Sequence, residues 1–278
     1  MLRIITDSSS DLSPKRCEEL GVEMIPLRVH FGEECFRAGI DISNEEFYER
    51  LSQADKLPTT SQITPADFEE IFKPYVEAGD EVLCLFISSK MSGTYQSALL
   101  AKELLGAEKI YIVDTLTVTF ALALLVEEAV KMRDRGFSAA EIADQIASIV
   151  PRNTLLAVIE DLKYLKMGGR LSATSAFFAS ILGICPIITI KDGLVETVGK
   201  ARGKKAAYKM VEGLIQKAEI SSDYGVTLGH SNTPEGMKHF AEYFHDLLKK
   251  REVTTCDIGS IVGTHVGPNA CGLAYIRR

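Results

Sequence analysis

The chain has 278 residues, of which 46% are hydrophobic, and 38 acidic against 31 basic residues give a formal net charge of −7. This composition is typical of a globular protein and excludes intrinsic disorder for the chain as a whole. An acidic chain without a basic cluster repels phosphate backbones and anionic lipids, so we expect no nucleic-acid partner and at most transient membrane contact. The length predicts about two domains.

The N-terminal sequence MLRIITDSSS carries one basic residue and only a short apolar stretch. It predicts a first β-strand rather than a signal peptide, so we expect a cytoplasmic location. The most apolar stretch, residues 176–190, is too short and too interrupted for a membrane span and is expected to form a buried helix and strand. Six scattered cysteines without zinc-type spacing predict reduced thiols and no metal site.

Short β-rich runs alternate with longer helical patterns along the chain. The predicted strands are residues 2–6, 81–87, 109–113, 154–159, 225–229 and 254–258. Helix starts are indicated by Ser13-Pro14 and Thr64-Pro65, and by the capping boxes Ser43…Glu46 and Ser138…Glu141. The alternation of strands and helices predicts an α/β fold with a mainly parallel sheet.

The first α/β series ends near residue 150 without a recognisable linker. We therefore expect an N-terminal α/β domain over residues 1–151, with a mainly parallel sheet and flanking helices, and a smaller C-terminal α/β domain over residues 152–278. Residues 23–40 predict strands and turns, and the glycine-rich residues 259–275 predict a strand, a loop and a second strand.

Several familiar catalytic signatures are absent from the sequence. It contains no G-x-G-x-x-G, G-x-S-x-G, H-E-x-x-H or P-loop motif. These absences argue against dinucleotide binding, the α/β-hydrolase nucleophile turn, zinc-protease chemistry and Walker-type nucleotide binding.

Small clusters rich in hydroxyl groups and glycine remain, and most follow predicted strands, where open α/β sheets bind ligands. They are TDSSS at 6–10, PTTSQ at 58–62, SSKMSGTYQS at 88–97, MGGRLS at 167–172 and GTHVGPNA at 263–270. The first is explained equally well by helix capping. The third precedes a helix expected to begin near Ser92, so its hydroxyls and free amides predict a cradle for an anion or a carboxylate. In the fifth, His265 has a ligand-like context at the end of a predicted strand.

Taken together and in this order, these clusters resemble the DegV family over essentially the full length. The resemblance implies a two-domain α/β fold with a long-chain fatty acid held between the domains and no cofactor. It further implies a non-catalytic role as the fatty-acid-binding subunit of bacterial fatty acid kinase. A separate kinase subunit would phosphorylate the bound carboxylate with ATP, giving acyl phosphate for phospholipid synthesis.

The resemblance also assigns roles to individual residues. The positions matched to carboxylate binding are Thr60, Ser61, Ser92, Gly93, Thr94 and His265. Arg170, at a predicted turn tip, and Arg202, in a predicted exposed connection over residues 199–205, match basic positions at the pocket mouth where the kinase approaches.

The sequence departs from the family pattern at Ile63, at Asn269 and over residues 114–124. The last departure introduces Phe120 near the expected pocket and predicts a reshaped acyl channel. Two other functions fit the residues: a serine-type lipid hydrolase using Ser92 and His265, and a lipid-sensing scaffold. A fluorophosphonate probe, which labels activated serines, separates the hydrolase from the carrier.

Overall fold

The computed structural model describes residues 1–172 and 183–278. The strands are β1 (Leu2–Asp7), β2 (Val22–Ile25), β3 (Arg28–Phe31), β4 (Glu34–Arg37), β5 (Thr59–Ser61), β6 (Glu81–Phe86), β7 (Ile110–Asp114), β8 (Asn153–Val158), β9 (Ile184–Lys191), β10 (Leu194–Arg202), β11 (Val226–His230), β12 (Val253–Asp257) and β13 (Cys271–Ile276). The α-helices are α1 (Pro14–Leu20), α2 (Asn44–Gln53), α3 (Pro65–Ala78), α4 (Thr94–Leu104), α5 (Phe120–Asp134), α6 (Ala139–Ile149), α7 (Lys163–Gly168), α8 (Lys204–Ala218), α9 (Pro234–Tyr243), α10 (His245–Leu248) and α11 (Ser260–Val266).

Within the described ranges these strands form three sheets. A four-stranded sheet has the order β2-β1-β6-β7 and is parallel throughout, and the strands β4-β3-β5 form a small antiparallel sheet beside it. The third sheet has the order β10-β9-β8-β13-β11-β12, and of its pairings only β11 with β12 is parallel. The predicted α/β class is therefore confirmed, although the C-terminal sheet is mixed rather than parallel.

The six-stranded sheet buries both faces. Residues alternate along each strand, so Leu156 and Leu273 pack on one side with α8 and α9, while Leu155 and Ala274 join the core on the other side. Helix α5 lies on that second side and contacts strands of both large sheets, including β1, β6, β11 and β13. Because it packs between two sheets, α5 is buried around most of its circumference, which explains its apolar sequence FALALLV.

The six strands predicted from the sequence are all confirmed, within one or two residues at their ends. The helix starts are confirmed as well, and the capping box at Ser138 and Glu141 is reciprocal. At Ser43 only half of the predicted box forms, because the Glu46 carboxylate pairs with Arg50 instead.

Two predictions in the C-terminal half are wrong. Residues 260–266 form helix α11 rather than a strand, so His265 lies in the last turn of a helix. Contacts distant in sequence fix the start of α11: the Tyr48 hydroxyl donates to the Ile258 carbonyl, and Asp11 accepts from the Gly259 amide. Such contacts outweigh the weak β-propensity of Ile261 and Val262.

The expected connection over residues 199–205 is instead the end of β10, one glycine and the start of α8. The alternation that would have indicated β10 is disturbed by a bulge between Thr197 and Gly199.

Of the apolar stretch 176–190, residues 176–182 lie outside the described residues, and the remainder enters β9. No α-helix in the two described ranges has the length and hydropathy to cross a bilayer. The six cysteines lie within these ranges, and none forms a disulfide. The division into domains at residue 151 stays a prediction.

Candidate functional site

A cavity of about 480 Å³ lies between the four-stranded and six-stranded sheets. Most of its wall is apolar and comes from both halves of the chain, including Leu27, Ile87, Leu155, Ile188, Ile258 and Ile261. A smaller polar set also lines it: Thr60, Ser61, Gln62, Ser89, Lys90, Ser92, Thr119, Arg170 and His265. A largely apolar cavity with a few convergent polar groups is the usual form of a small-molecule site.

Thr60 and His265 are far apart in the sequence but are in contact at the cavity wall. The Thr60 Oγ1 atom, on β5, lies 3.1 Å from His265 Nε2, on α11. Burial and then the positive charge of Arg170 lower the pKa of His265 from 6.5 to about 4, so the imidazole is neutral at physiological pH. Its Nδ1 atom is buried and has no hydrogen-bond partner among the described residues.

Close packing fixes the orientation of the His265 ring. A Cβ atom at Gly168, the last residue of α7, would lie 2.1 Å from His265 Nδ1. Only glycine permits this approach, so α7 and α11 come together at that point. Gly168 of the MGGR cluster thus allows α7 to pack closely against α11. The sequence predicted only a turn at this position.

The Ser92-Gly93-Thr94 cluster lies between β6 and α4. Ser92 Oγ is 2.9 Å from Thr94 Oγ1 and accepts a bond of 3.3 Å from the Thr94 amide. Helix α4 begins at Thr94, two residues later than predicted, and Thr94 itself is buried behind Ser92 without lining the cavity. Ser92 and Gly93 line it directly.

Two supporting contacts around this cluster were not found from the sequence. Gln62 Nε2 donates to Ser97 Oγ at 3.0 Å and thereby links the end of β5 to α4. His30 Nε2 lies 2.9 Å from Ser61 Oγ. The pairing of β3 with β5 creates this contact, and no local sequence signal indicates that pairing.

The two arginines assigned to partner docking occupy different environments. Arg170 is half-buried, lines the cavity and donates from Nε to the Met91 carbonyl at 3.2 Å and from Nη1 to the Gly168 carbonyl. Arg202 is exposed at the end of β10, outside the cavity wall. The structure therefore groups Arg170 with the polar end of the cavity and separates it from Arg202.

The described residues contain no group of three or more His, Cys, Asp and Glu side chains placed to hold a metal ion. The polar residues of the cavity instead offer neutral hydroxyls, one neutral imidazole and the basic side chains of Arg170 and Lys90. Such a set binds a single anionic group at the end of an otherwise apolar ligand.

Comparison with known proteins agrees with this geometry. The model of the family described as "Uncharacterised protein, DegV family" matches residues 1–278. The chain belongs to the DegV family. A DegV domain-containing protein from Halalkalibacterium halodurans is 35% identical over 276 residues, which cover 99% of this chain and 98% of the relative.

Solved structures of DegV proteins share the whole fold. A fatty-acid-binding DegV family protein from Thermus thermophilus superimposes with a TM-score of 0.89 at 26% identity, covering 100% of this chain and 99% of the other. A stearic-acid-binding protein from Eubacterium ventriosum gives a TM-score of 0.90 at 29% identity, with 100% and 98% coverage. Fatty acid binding is thus a property of structurally characterised proteins of the DegV type.

Proposed function

We propose that this protein binds one long-chain fatty acid in the cavity and presents its carboxylate to a separate kinase subunit for phosphorylation to acyl phosphate. The observation that carries the proposal is the apolar cavity between the sheets, with its hydroxyl, imidazole and guanidinium groups. The fatty-acid-binding neighbours of the same fold support it.

The carboxylate is assigned to Thr60, Ser92 and His265, with Ser61, Gly93 and Thr94 shaping their surroundings. Neutral hydroxyl donors hold a carboxylate while leaving its oxygens nucleophilic, which transfer of a phosphoryl group requires. Arg170 adds positive potential, but its guanidinium already donates to the Met91 and Gly168 carbonyls. It therefore attracts the anion without requiring the bidentate clamp that would cover both oxygens.

The same geometry argues against a serine hydrolase built on Ser92. Ser92 Oγ pairs with Thr94 Oγ1, whereas the His265 Nε2 atom faces Thr60. Among the described residues no carboxylate orients His265 Nδ1, and a pKa of about 4 makes this imidazole a weak base. A triad needs the opposite arrangement, with the histidine bonded to both the nucleophile and an acid.

We expect the purified protein to carry one fatty acid per chain. Burying about 16 methylene groups at about 0.8 kcal/mol each contributes roughly 13 kcal/mol before ordering costs, enough for the lipid to survive purification. Native mass spectrometry should give the chain mass plus one fatty acid, and organic extraction should release that acid. A native mass equal to the bare chain, with no fatty acid in the extract, would contradict the proposal.

We expect Arg202→Ala to leave fatty-acid affinity unchanged and to slow phosphorylation by a cognate kinase subunit. Arg202 is exposed, lies outside the cavity wall and forms no ion pair with any described residue, so its charge is available to another protein. Loss of a charge at the rim of an interface mainly lowers the association rate and its dependence on salt.

The test of Arg202 measures lipid binding and acyl-phosphate formation on the same preparation. Arg135→Ala, at an exposed position after α5, removes the same charge elsewhere and serves as the control. If lipid binding collapses and the kinase rate follows occupancy, Arg202 belongs to the pocket and the docking assignment is wrong.

A further inference from the structure

A row of mostly small residues crosses the six-stranded sheet on the cavity side. Gly229 on β11 is paired with Gly272 on β13, Gly272 with Ala157 on β8, and Ala157 with Ile188 on β9. All four line the cavity. Directly paired residues share one face of a sheet, so this row forms a trough across four strands, spanning roughly 14 Å at about 4.8 Å per strand.

The ring of Phe120 closes the Gly229 end of this trough. A Cβ atom at Gly229 would lie 2.0 Å from Phe120 Cδ1 and 2.6 Å from Cε1, so the ring rests directly on the glycine backbone. Phe120 is 1% exposed and lines the cavity. The contact leaves no space for an acyl chain to continue along the row beyond Gly229.

The backbone before Phe120 is held in an unusual conformation. Thr119 has a φ of 57°, which is rare for a β-branched residue. Its amide donates to the Ser9 carbonyl at 2.7 Å and its hydroxyl to Asp11 Oδ2 at 2.6 Å. These bonds hold the strained residue in place and therefore fix the position from which the Phe120 side chain enters the cavity.

Phe120 also lies away from the polar end of the cavity. The backbone of Arg170, one of the polar residues of the cavity, is held at β10, because the Val195 amide donates to the Arg170 carbonyl at 3.2 Å. Strands β9, β8 and β13 lie between β10 and β11 in the sheet. The Phe120 ring over Gly229 and the Arg170 backbone therefore lie at opposite ends of this side of the sheet.

We propose that Phe120 sets the upper length of the acyl chain that this cavity accepts. This inference rests on the proposed function, because it takes the carboxylate to lie at Thr60, Ser92 and His265. The ligand class is a fatty acid whose terminal methyl group ends against the Phe120 ring, with the preceding methylenes lying in the trough over Gly272 and Ala157.

The test compares saturated fatty acids of 16, 18 and 20 carbons on delipidated protein. Each methylene newly buried raises affinity about fourfold. In Phe120→Ala the ratio of the affinity for the 20-carbon acid to that for the 18-carbon acid should therefore rise roughly 15-fold over wild type, because two methylenes are newly buried. Phe120→Leu, which removes less volume, should give a smaller rise and covers the case in which the alanine variant fails to fold.

Gly229→Ala supplies an independent arm of the test. Its methyl group cannot coexist with the ring and should push Phe120 into the cavity, lowering affinity for the 18-carbon acid in the wild-type background but not in Phe120→Ala. Phe240→Leu, in the core on the opposite face of the sheet, is the control for a general loss of core packing. It should leave the ratio of affinities for the two acids unchanged.

The outcomes distinguish the proposed function of the protein from the role assigned to Phe120. If wild type and variants all bind no fatty acid, the proposed function fails. If they bind fatty acid with one unchanged length ratio, or if Phe240→Leu shifts the ratio as much as Phe120→Leu does, the assignment of Phe120 is overturned.

Discussion

Replacing Thr60 or Ser92 with alanine is expected to weaken fatty-acid binding by about 1 to 3 kcal/mol each, which is roughly 5- to 150-fold in affinity. Under the proposed function, each substitution removes a hydroxyl that donates to the fatty-acid carboxylate in a largely apolar cavity. In Thr60→Ala the His265 Nε2 atom also loses its partner, and in Ser92→Ala Thr94 Oγ1 does. Because both hydroxyls are expected to bind the same carboxylate, the double variant should lose less binding free energy than the sum of the losses in the two single variants.

Titration of delipidated protein with a fluorescent fatty acid measures these losses. Thr60→Ser retains the hydroxyl and should retain most of the affinity, which separates hydrogen bonding from a change of shape. Ser148→Ala removes an exposed hydroxyl in α6 that bonds only within its own helix, and it should have no effect. Unchanged affinity in the double variant would place the carboxylate elsewhere in the cavity.

The second large effect concerns the buried carboxyl group of Asp11. Asp11 accepts from Thr119 Oγ1 at 2.6 Å and from the Gly259 amide at 2.9 Å, so it joins the entrance of α5 to the start of α11. Burial, with smaller contributions from the charges of Asp257 and Asp7, raises the pKa of Asp11 from 3.8 to about 7 against the lowering effect of these hydrogen bonds.

This shift makes stability depend on pH. Between pH 3.8 and about 7 the native state keeps a proton on Asp11 that the unfolded chain has released. The native state therefore binds more protons, and the free energy of unfolding falls as the pH rises through this range. At about 1.4 kcal/mol per unit of pKa, the contribution is at most about 4 kcal/mol.

Asp11→Asn should remove this dependence and raise the free energy of unfolding at pH 8 by about 2 kcal/mol. The amide carbonyl still accepts from Gly259, and its NH2 group donates to Thr119 Oγ1, so both contacts are kept without a buried charge. Urea unfolding followed by circular dichroism from pH 4 to 8 gives the two curves. Asp144→Asn changes the charge equally at an exposed site in α6, and parallel curves for Asp11→Asn and wild type would refute the assignment.

Elements with strong local patterns could be predicted from the amino-acid sequence. Short runs rich in apolar and β-branched residues specified β1, β6, β7, β8, β11 and β12, and side-chain caps such as Ser138 specified where helices begin, because these signals act within a few residues. The polar clusters around Thr60, Ser92 and His265 were likewise visible as sequence, because they are runs of hydroxyl groups and glycines close together in the chain.

How those clusters combine depends on contacts between segments that are far apart in the chain. His265 reaches Thr60 because α11 is helical, and the contacts that start α11 come from Asp11 and Tyr48, about 200 or more residues away in the chain. The Phe120 ring meets Gly229 because α5 packs between two sheets. The sequence around a residue does not specify which distant residues it will contact, so these contacts could not be predicted from local patterns.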